Sequence, residues 1–82
     1  MDYYELQGDG LGYDFQDEYE KTLSRIWRFP EAWTLVTSYL RRCLMRRFPY
    51  AVFYTIMEEE IVISAVADLR MDPDYIRELI LR

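Results

Sequence analysis

Three apolar segments follow one another with links of only two or three residues, and this spacing limits the fold more than any other feature of the 82-residue chain. Residues 39–47, 50–57 and 61–67 are rich in the β-branched and aromatic side chains that strands favour. The links between them read "FP" and "EEE". Because a parallel crossover needs about a dozen residues or more, consecutive strands must run antiparallel. The sequence therefore predicts a three-stranded antiparallel meander.

An amphipathic helix precedes the predicted strands. Between Leu11 and Arg28, apolar residues recur at spacings of three and four, while acidic and basic residues, Glu18 among them, occupy the other side. Pro30 ends this helix because proline cannot continue the hydrogen-bond ladder. Before it, the turn "GDGLG" follows a shorter helical segment at residues 2–7, and after it residues 31–39 are predicted to be a connector.

The C-terminal segment "DPDYIRELILR" predicts a second amphipathic helix. Asp72 is suited to cap its N-terminus, and Pro73 to its first turn. We expect one domain over residues 1–82 with an α+β fold: two N-terminal helices, the first one short, packed on a three-stranded antiparallel meander, and a short C-terminal helix.

Both faces of the predicted sheet are apolar, so both need cover. In residues 50–57, one face carries Tyr50, Val52, Tyr54 and Ile56, and the other carries Phe53 between smaller side chains. The long helix covers one face. The second face is covered either by the C-terminal helix or by a partner, which includes a second copy of the chain.

Composition excludes several kinds of site. The chain has one cysteine, Cys43, and no histidine, so it has neither an internal disulfide nor the usual ligands for zinc. Three consecutive glutamates in a tight turn point in different directions and predict a solvated turn. We predict no metal and no cofactor. The longest apolar run, "IVISAVA", is far shorter than the ~20 residues of a membrane span. We expect a cytoplasmic protein without a membrane segment.

The order of short motifs resembles a known family. The series "YYE", "GLG" at the start of an amphipathic helix, "FPEAW", "RRCLMRRFPY", an apolar hairpin and a final "R.DP.Y" is similar to the RelE/ParE superfamily of toxins from bacterial toxin-antitoxin modules. Within that superfamily, "RRFPYAVFY" and "DP" look more like the ParE, or plasmid-stabilisation, branch.

The resemblance implies two functions, and an inactive relative is a third possibility. A ParE-like toxin acts by protein-protein contact on DNA gyrase and is neutralised by a cognate antitoxin whose tail orders on binding. A RelE-like toxin cuts messenger RNA on the ribosome, for which Arg70 and Tyr75 are the candidate catalytic residues here. A truncated, inactive relative folds and self-associates, with no further activity.

The chain departs from the family in three ways. Members of the family begin with a strand and then a long first helix, whereas "MDYYELQ" opens near the end of that helix. We therefore expect an uncovered sheet edge or a homodimer that repairs it. Asp68, Arg70 and Met71 stand where many relatives carry histidine and paired arginines. A net charge of -5 and a pI of about 4.6 disfavour direct nucleic-acid binding, which needs phosphate neutralisation.

These arguments favour a ParE-like toxin that is not an enzyme, with the nuclease as the alternative. The predicted partner-binding residues are Arg42, Arg46, Arg47, Tyr50, Phe53, Arg70 and Tyr75. Strand alternation places Arg41 and Arg47 on one face and Arg42 and Arg46 on the other, so the arginines do not form one basic stripe. The alternative interpretation is that they protect the sheet edge and pair with acidic residues of the helix or the glutamate turn.

Four aromatic residues have structural interpretations as well. Phe48 and Tyr50, on either side of Pro49, are expected to pack at a hairpin corner. Trp27 lies on the apolar face of the helix and is predicted to be in the core. Trp33, in the connector, is either a core residue or an anchor for a partner.

Overall fold

The computed structural model describes residues 11–80, which form an α+β fold. Helix α1 spans Leu11–Arg28 and helix α2 spans Pro73–Ile80. Between them lie strands β1 (Thr34–Leu35), β2 (Leu40–Leu44), β3 (Tyr50–Met57) and β4 (Glu60–Asp68). The strands form one antiparallel sheet in the order β1-β2-β3-β4. The predicted short helix at residues 2–7, and the position of the family's first strand, lie outside the described residues.

The sheet has four strands, so the prediction of three is wrong. The additional strand, β1, lies in the segment predicted to be a connector and pairs Thr34 with Arg42 and Leu35 with Arg41. Side-chain contacts hold it in place: Nη1 of Arg41 donates to the carbonyl oxygens of Glu31 at 3.0 Å and of Trp33 at 2.7 Å. Two residues are too few to show strand periodicity, and so the sequence pattern did not reveal β1.

Strand β2 is shorter than predicted, because it ends at Leu44 and not at Arg47. Pro49 has no N–H group to donate to a ladder, and the chain closes a loop instead. In this loop the backbone N–H of Met45 donates to the carbonyl oxygen of Tyr50 at 2.9 Å. The predicted hairpin corner is confirmed: the ring of Phe15 packs edge-on against Phe48 at 5.3 Å and against Tyr50 at 5.0 Å.

A two-residue turn joins β3 to β4. Glu58 and Glu59 have φ angles of 49° and 69°, in the left-handed region, and Met57 pairs with Glu60 across the turn. This backbone conformation matches the right-handed twist of a hairpin, although it normally selects asparagine and glycine. All three glutamates are exposed, as predicted for a solvated turn.

Helix α1 covers one face of the sheet. The core on this side contains Phe15 and Ile26 from the helix. It is completed by buried side chains of β2 (Cys43), of β3 (Val52 and Tyr54) and of the loop after β2 (Met45). Trp33 packs against this cluster, and its Nε1 donates to the carbonyl oxygen of Arg25 at 3.2 Å. Trp33 is therefore a structural residue that closes the end of α1.

Two predictions about α1 are wrong. Trp27 is 69 % exposed, whereas Glu18 is 4 % exposed although it was placed on the polar side. The inward stripe of the helix runs through Phe15, Glu18, Thr22 and Ile26, so Trp27 lies about 100° around the helix from the last of these. The hydroxyl of Thr22 is satisfied within the helix by the carbonyl oxygen of Glu18 at 2.8 Å.

Helix α2 covers the second face. Its residues Ile76, Leu79 and Ile80 pack against a buried cluster of Leu40, Ala51, Phe53 and Ala67. No residue of α2 is itself fully buried. Of the two predicted alternatives for covering this face, the C-terminal helix is the one observed. The helix leaves a cavity between itself and the sheet.

Candidate partner-binding surface

The cavity between α2 and the sheet has a volume of about 370 Å³. We call it the arginine-rimmed cavity. Its lining is mostly apolar, with two arginines and one threonine: Val36, Thr37, Arg42, Phe53, Leu69, Met71, Pro73, Ile76, Arg77 and Ile80. Its volume falls within the range of sites that bind small ligands or side chains of a partner.

Small residues in the sheet and a capped N-terminus fix the position of α2. Ala51 and Ala67 pair across β3 and β4, and both are buried beneath the helix. At the helix start, Oδ1 of Asp72 accepts a hydrogen bond from the N–H of Asp74 at 2.8 Å, and its carbonyl oxygen accepts one from Ile76 at 3.1 Å. The predicted cap is confirmed. Its consequence is that Pro73, Ile76, Arg77 and Ile80 share one face that points at the cavity.

Strand pairing forms the floor of the cavity. Arg42 on β2 lies opposite Phe53 on β3, and paired residues project to the same face. Phe53 is 3 % exposed and supplies apolar floor, while Arg42 is exposed at the rim. The shared face explains why these two residues, from different predicted strands, meet at one site.

The two arginines at the rim carry no matching acid. The ion pairs between described residues join Lys21 to Asp17, Arg47 to Asp14 and Arg70 to Asp68, and none of them includes Arg42 or Arg77. A protein with a net charge of -5 thus presents, beside one apolar cavity, two guanidinium groups that form no ion pair with any acid of residues 11–80. Such a site suits an acidic ligand with an apolar body.

The other predicted arginines lie elsewhere. Arg46 lines a second cavity, of about 270 Å³, together with Arg25, Trp33 and Arg42. Arg47 lies on the α1 side, where its Nη2 is 3.7 Å from Oδ2 of Asp14. Both members of that pair are more than half exposed, so it contributes little to stability.

Tyr50 also lies on the α1 side, partly buried beside Phe15. The predicted partner-binding set is therefore divided between the two faces of the sheet.

Arg70 and Tyr75 do not line the arginine-rimmed cavity. The guanidinium of Arg70 binds the carboxylate of Asp68 in a fork, with Nε to Oδ1 at 3.0 Å and Nη2 to Oδ2 at 2.8 Å. These hydrogen bonds, with a further one from Tyr50, lower the pKa of Asp68 to about 2. Tyr75 is 51 % exposed on α2.

Sequence reasoning placed Arg42 and Phe53 at a binding surface and missed the other eight residues that line the cavity. Val36, Leu69 and Met71 are between 39 % and 46 % exposed and form an apolar rim, while Arg77 adds the second charge. The sequence did indicate the position of Arg77, because it follows Pro73 by four residues and so lies on the same face of α2. Val36, Leu69 and Met71 lie in loops, where no periodicity marks them.

Two titratable groups of the core, Cys43 and Tyr54, have raised pKa values. Burial raises the pKa of the Cys43 thiol, which keeps it protonated and poorly nucleophilic. Burial also raises the pKa of Tyr54. Among residues 11–80, no three histidine, cysteine, aspartate or glutamate residues cluster as metal ligands do. Neither described helix is long and apolar enough to cross a membrane.

Comparison with models of protein families, with curated protein sequences and with solved structures finds no match to this chain. The resemblance to the RelE/ParE superfamily therefore remains a prediction from the sequence motifs.

Proposed function

We propose that this protein is the toxin component of a bacterial type II toxin-antitoxin module of the ParE type, and that it acts by protein-protein contact. Its cognate antitoxin binds at the arginine-rimmed cavity, and DNA gyrase in the cytoplasm is the target that the ParE resemblance implies. The observation that supports this proposal most is the apolar cavity with Arg42 and Arg77 at its rim, neither of which forms an ion pair within the described part of the chain.

The cavity suits a protein segment that combines apolar and acidic side chains. Arginine forms bidentate hydrogen bonds with carboxylates, and its charge selects acidic segments over basic ones. An apolar side chain of the segment enters the cavity over Phe53, where it is shielded from water. This combination of a buried apolar anchor with flanking arginines is common at the centre of protein interfaces.

Messenger-RNA cleavage has less support. The pKa of Asp68 is low, so it is ionised at neutral pH and binds Arg70, and general acid-base catalysis needs groups that exchange protons near that pH. The net charge of -5 also opposes binding to a phosphate backbone.

A rescue experiment tests the antitoxin site. The chain is expressed under tight control in bacteria, and fragments of the source genome are selected for restored growth. We expect rescuing fragments to encode acidic segments with apolar residues. The double variant Arg42→Glu, Arg77→Glu should remain folded and escape rescue, whereas the control Arg28→Glu, at an exposed position on α1, should be rescued like the natural chain. Equal rescue of all three proteins contradicts the proposed antitoxin site.

A further inference from the structure

Strand β4 forms an open edge of the sheet. It is nine residues long and has β3 on one side, while no other strand of residues 11–80 pairs with its second side. The interior of β4 carries no charged residue and no proline, since Glu60 and Asp68 stand at its two ends. Natural proteins usually block such an edge with charges or proline, because its free N–H and C=O groups can pair with another strand.

The edge is apolar on both faces. On the α1 side, a groove of about 390 Å³ runs between the helix and the strand and is lined by Leu23, Trp27, Ile61 and Ile63 among others. Trp27 is 69 % exposed beside this groove. On the α2 side, Val62 is 41 % exposed. A partner strand added here would therefore gain apolar cover above and below it.

A bulge limits how much of β4 can pair. Phe53 lies opposite Ala65 and Tyr54 opposite Ile63, so Ser64 is an extra residue in β4. A bulge bends its strand and breaks the regular ladder. The regular part next to the groove is residues 60–63.

We propose that a second copy of the chain occupies this edge, with residues 60–64 of the two β4 strands facing each other antiparallel about a two-fold axis through Val62 and the regular ladder confined to residues 61–63, before the bulge. In this register, Val62 lies opposite itself, and Ile61 lies opposite Ile63 of the second copy. Glu60 faces Ser64, an uncharged residue. A register centred on Ser64 would instead place Glu60 opposite Asp68, and like charges in directly opposed positions are destabilising.

The two-fold arrangement also accounts for Trp27. A stable interface buries about 800 Å² on each partner, or roughly an eighth of the 6054 Å² that this chain exposes. Five paired strand residues expose less than this. The groove must be covered too, and in a two-fold dimer the same patch of each copy meets the other. Trp27 of each copy then packs across the groove of its partner.

Sedimentation equilibrium of the full chain tests the dimer. We expect a mass twice the 10.0 kDa of one chain for the natural protein. Val62→Lys places two lysines face to face at the axis and should give a monomer. The control Leu35→Lys changes a residue that is 51 % exposed on the opposite edge strand, and it should remain dimeric.

Cross-linking tests the register. Val62→Cys should form a disulfide between two copies on mild oxidation, because opposed residues across strands are close enough for one. Leu35→Cys should not, and Cys43 is buried in every variant. A natural chain that stays monomeric at its highest soluble concentration overturns the proposal, as does a dimer that Val62→Lys leaves intact. Both results are independent of the arginine-rimmed cavity, because none of residues 60–64 lines it.

Discussion

The hydroxyl of Tyr54 donates a hydrogen bond of 2.6 Å to the carbonyl oxygen of Pro30. Tyr54 is fully buried in the central strand β3, and Pro30 lies just beyond the end of α1. This bond joins the centre of the sheet to the chain reversal that follows the helix. It satisfies the hydroxyl of a fully buried side chain, which makes it sensitive to substitution.

Tyr54→Phe should lower the free energy of unfolding by about 1–3 kcal/mol, because it leaves the carbonyl oxygen of Pro30 without its partner. Urea unfolding followed by circular dichroism measures the change. Tyr39→Phe is the matched control, since Tyr39 is 61 % exposed and should change stability little. An equal loss in both variants would show that the buried hydrogen bond has no special role.

The pair of Asp68 and Arg70 should make stability depend on pH in the acid range. The pKa of Asp68 falls from its ordinary value of 3.8 to about 2 on folding. A group whose pKa is lowered in the folded state stabilises that state above its unfolded pKa and loses this contribution as pH falls through the folded pKa. The stabilisation should thus be complete above a pH of about 4 and absent below about 2.

The variant Asp68→Asn tests this dependence. It should be less stable than the natural chain near neutral pH, and the difference should vanish in the most acidic samples. Asp17→Asn is the control, because it removes an exposed carboxylate from the ion pair with Lys21. A difference between Asp68→Asn and the natural chain that is constant with pH would contradict the assignment.

Substitutions in the β3–β4 turn should increase the stability of the protein. Glu58→Asn with Glu59→Gly should raise the free energy of unfolding by about 1–2 kcal/mol, because non-glycine residues in left-handed conformations are strained. Glu58→Gln with Glu59→Gln removes the same two charges and keeps both side chains. If the glutamine variant gains as much as the asparagine-glycine variant, charge repulsion and not backbone strain is the cause.

Cys43 should be protected from modification in the folded protein. It is 1 % exposed, and burial raises its pKa. A thiol reagent such as dithionitrobenzoate should react slowly with the native chain and rapidly in urea. Fast reaction with the native protein would show that the α1 face of the sheet opens readily.

Local patterns predicted the larger elements well. The apolar spacing of α1 and the position of Pro30 gave its bounds, and alternation with two short links gave β3 and β4 within one residue. In these segments, the local preference and the tertiary packing favour the same structure. The pairing of Arg42 with Phe53 depends on the register between β2 and β3, which alternation within each strand does not give.

Non-local contacts explain what the sequence did not reveal. Strand β1 depends on Arg41 reaching back to Glu31 and Trp33, and so has no periodicity of its own. The exposure of Trp27 and the burial of Glu18 follow from which side of α1 packs on the sheet, the side that carries Phe15, Thr22 and Ile26. The arginine-rimmed cavity combines loop residues with α2, whose distance from the sheet depends on Ala51 and Ala67.

Growth of bacteria after tightly induced expression of the chain, with plasmid supercoiling measured in the same cells, tests the proposed function most directly. The proposal predicts that growth stops and that plasmids lose negative supercoils, while messenger RNA on the ribosome remains uncut. Normal growth with soluble, folded protein accumulating in the cells would contradict it, and would favour an inactive relative that only folds and self-associates.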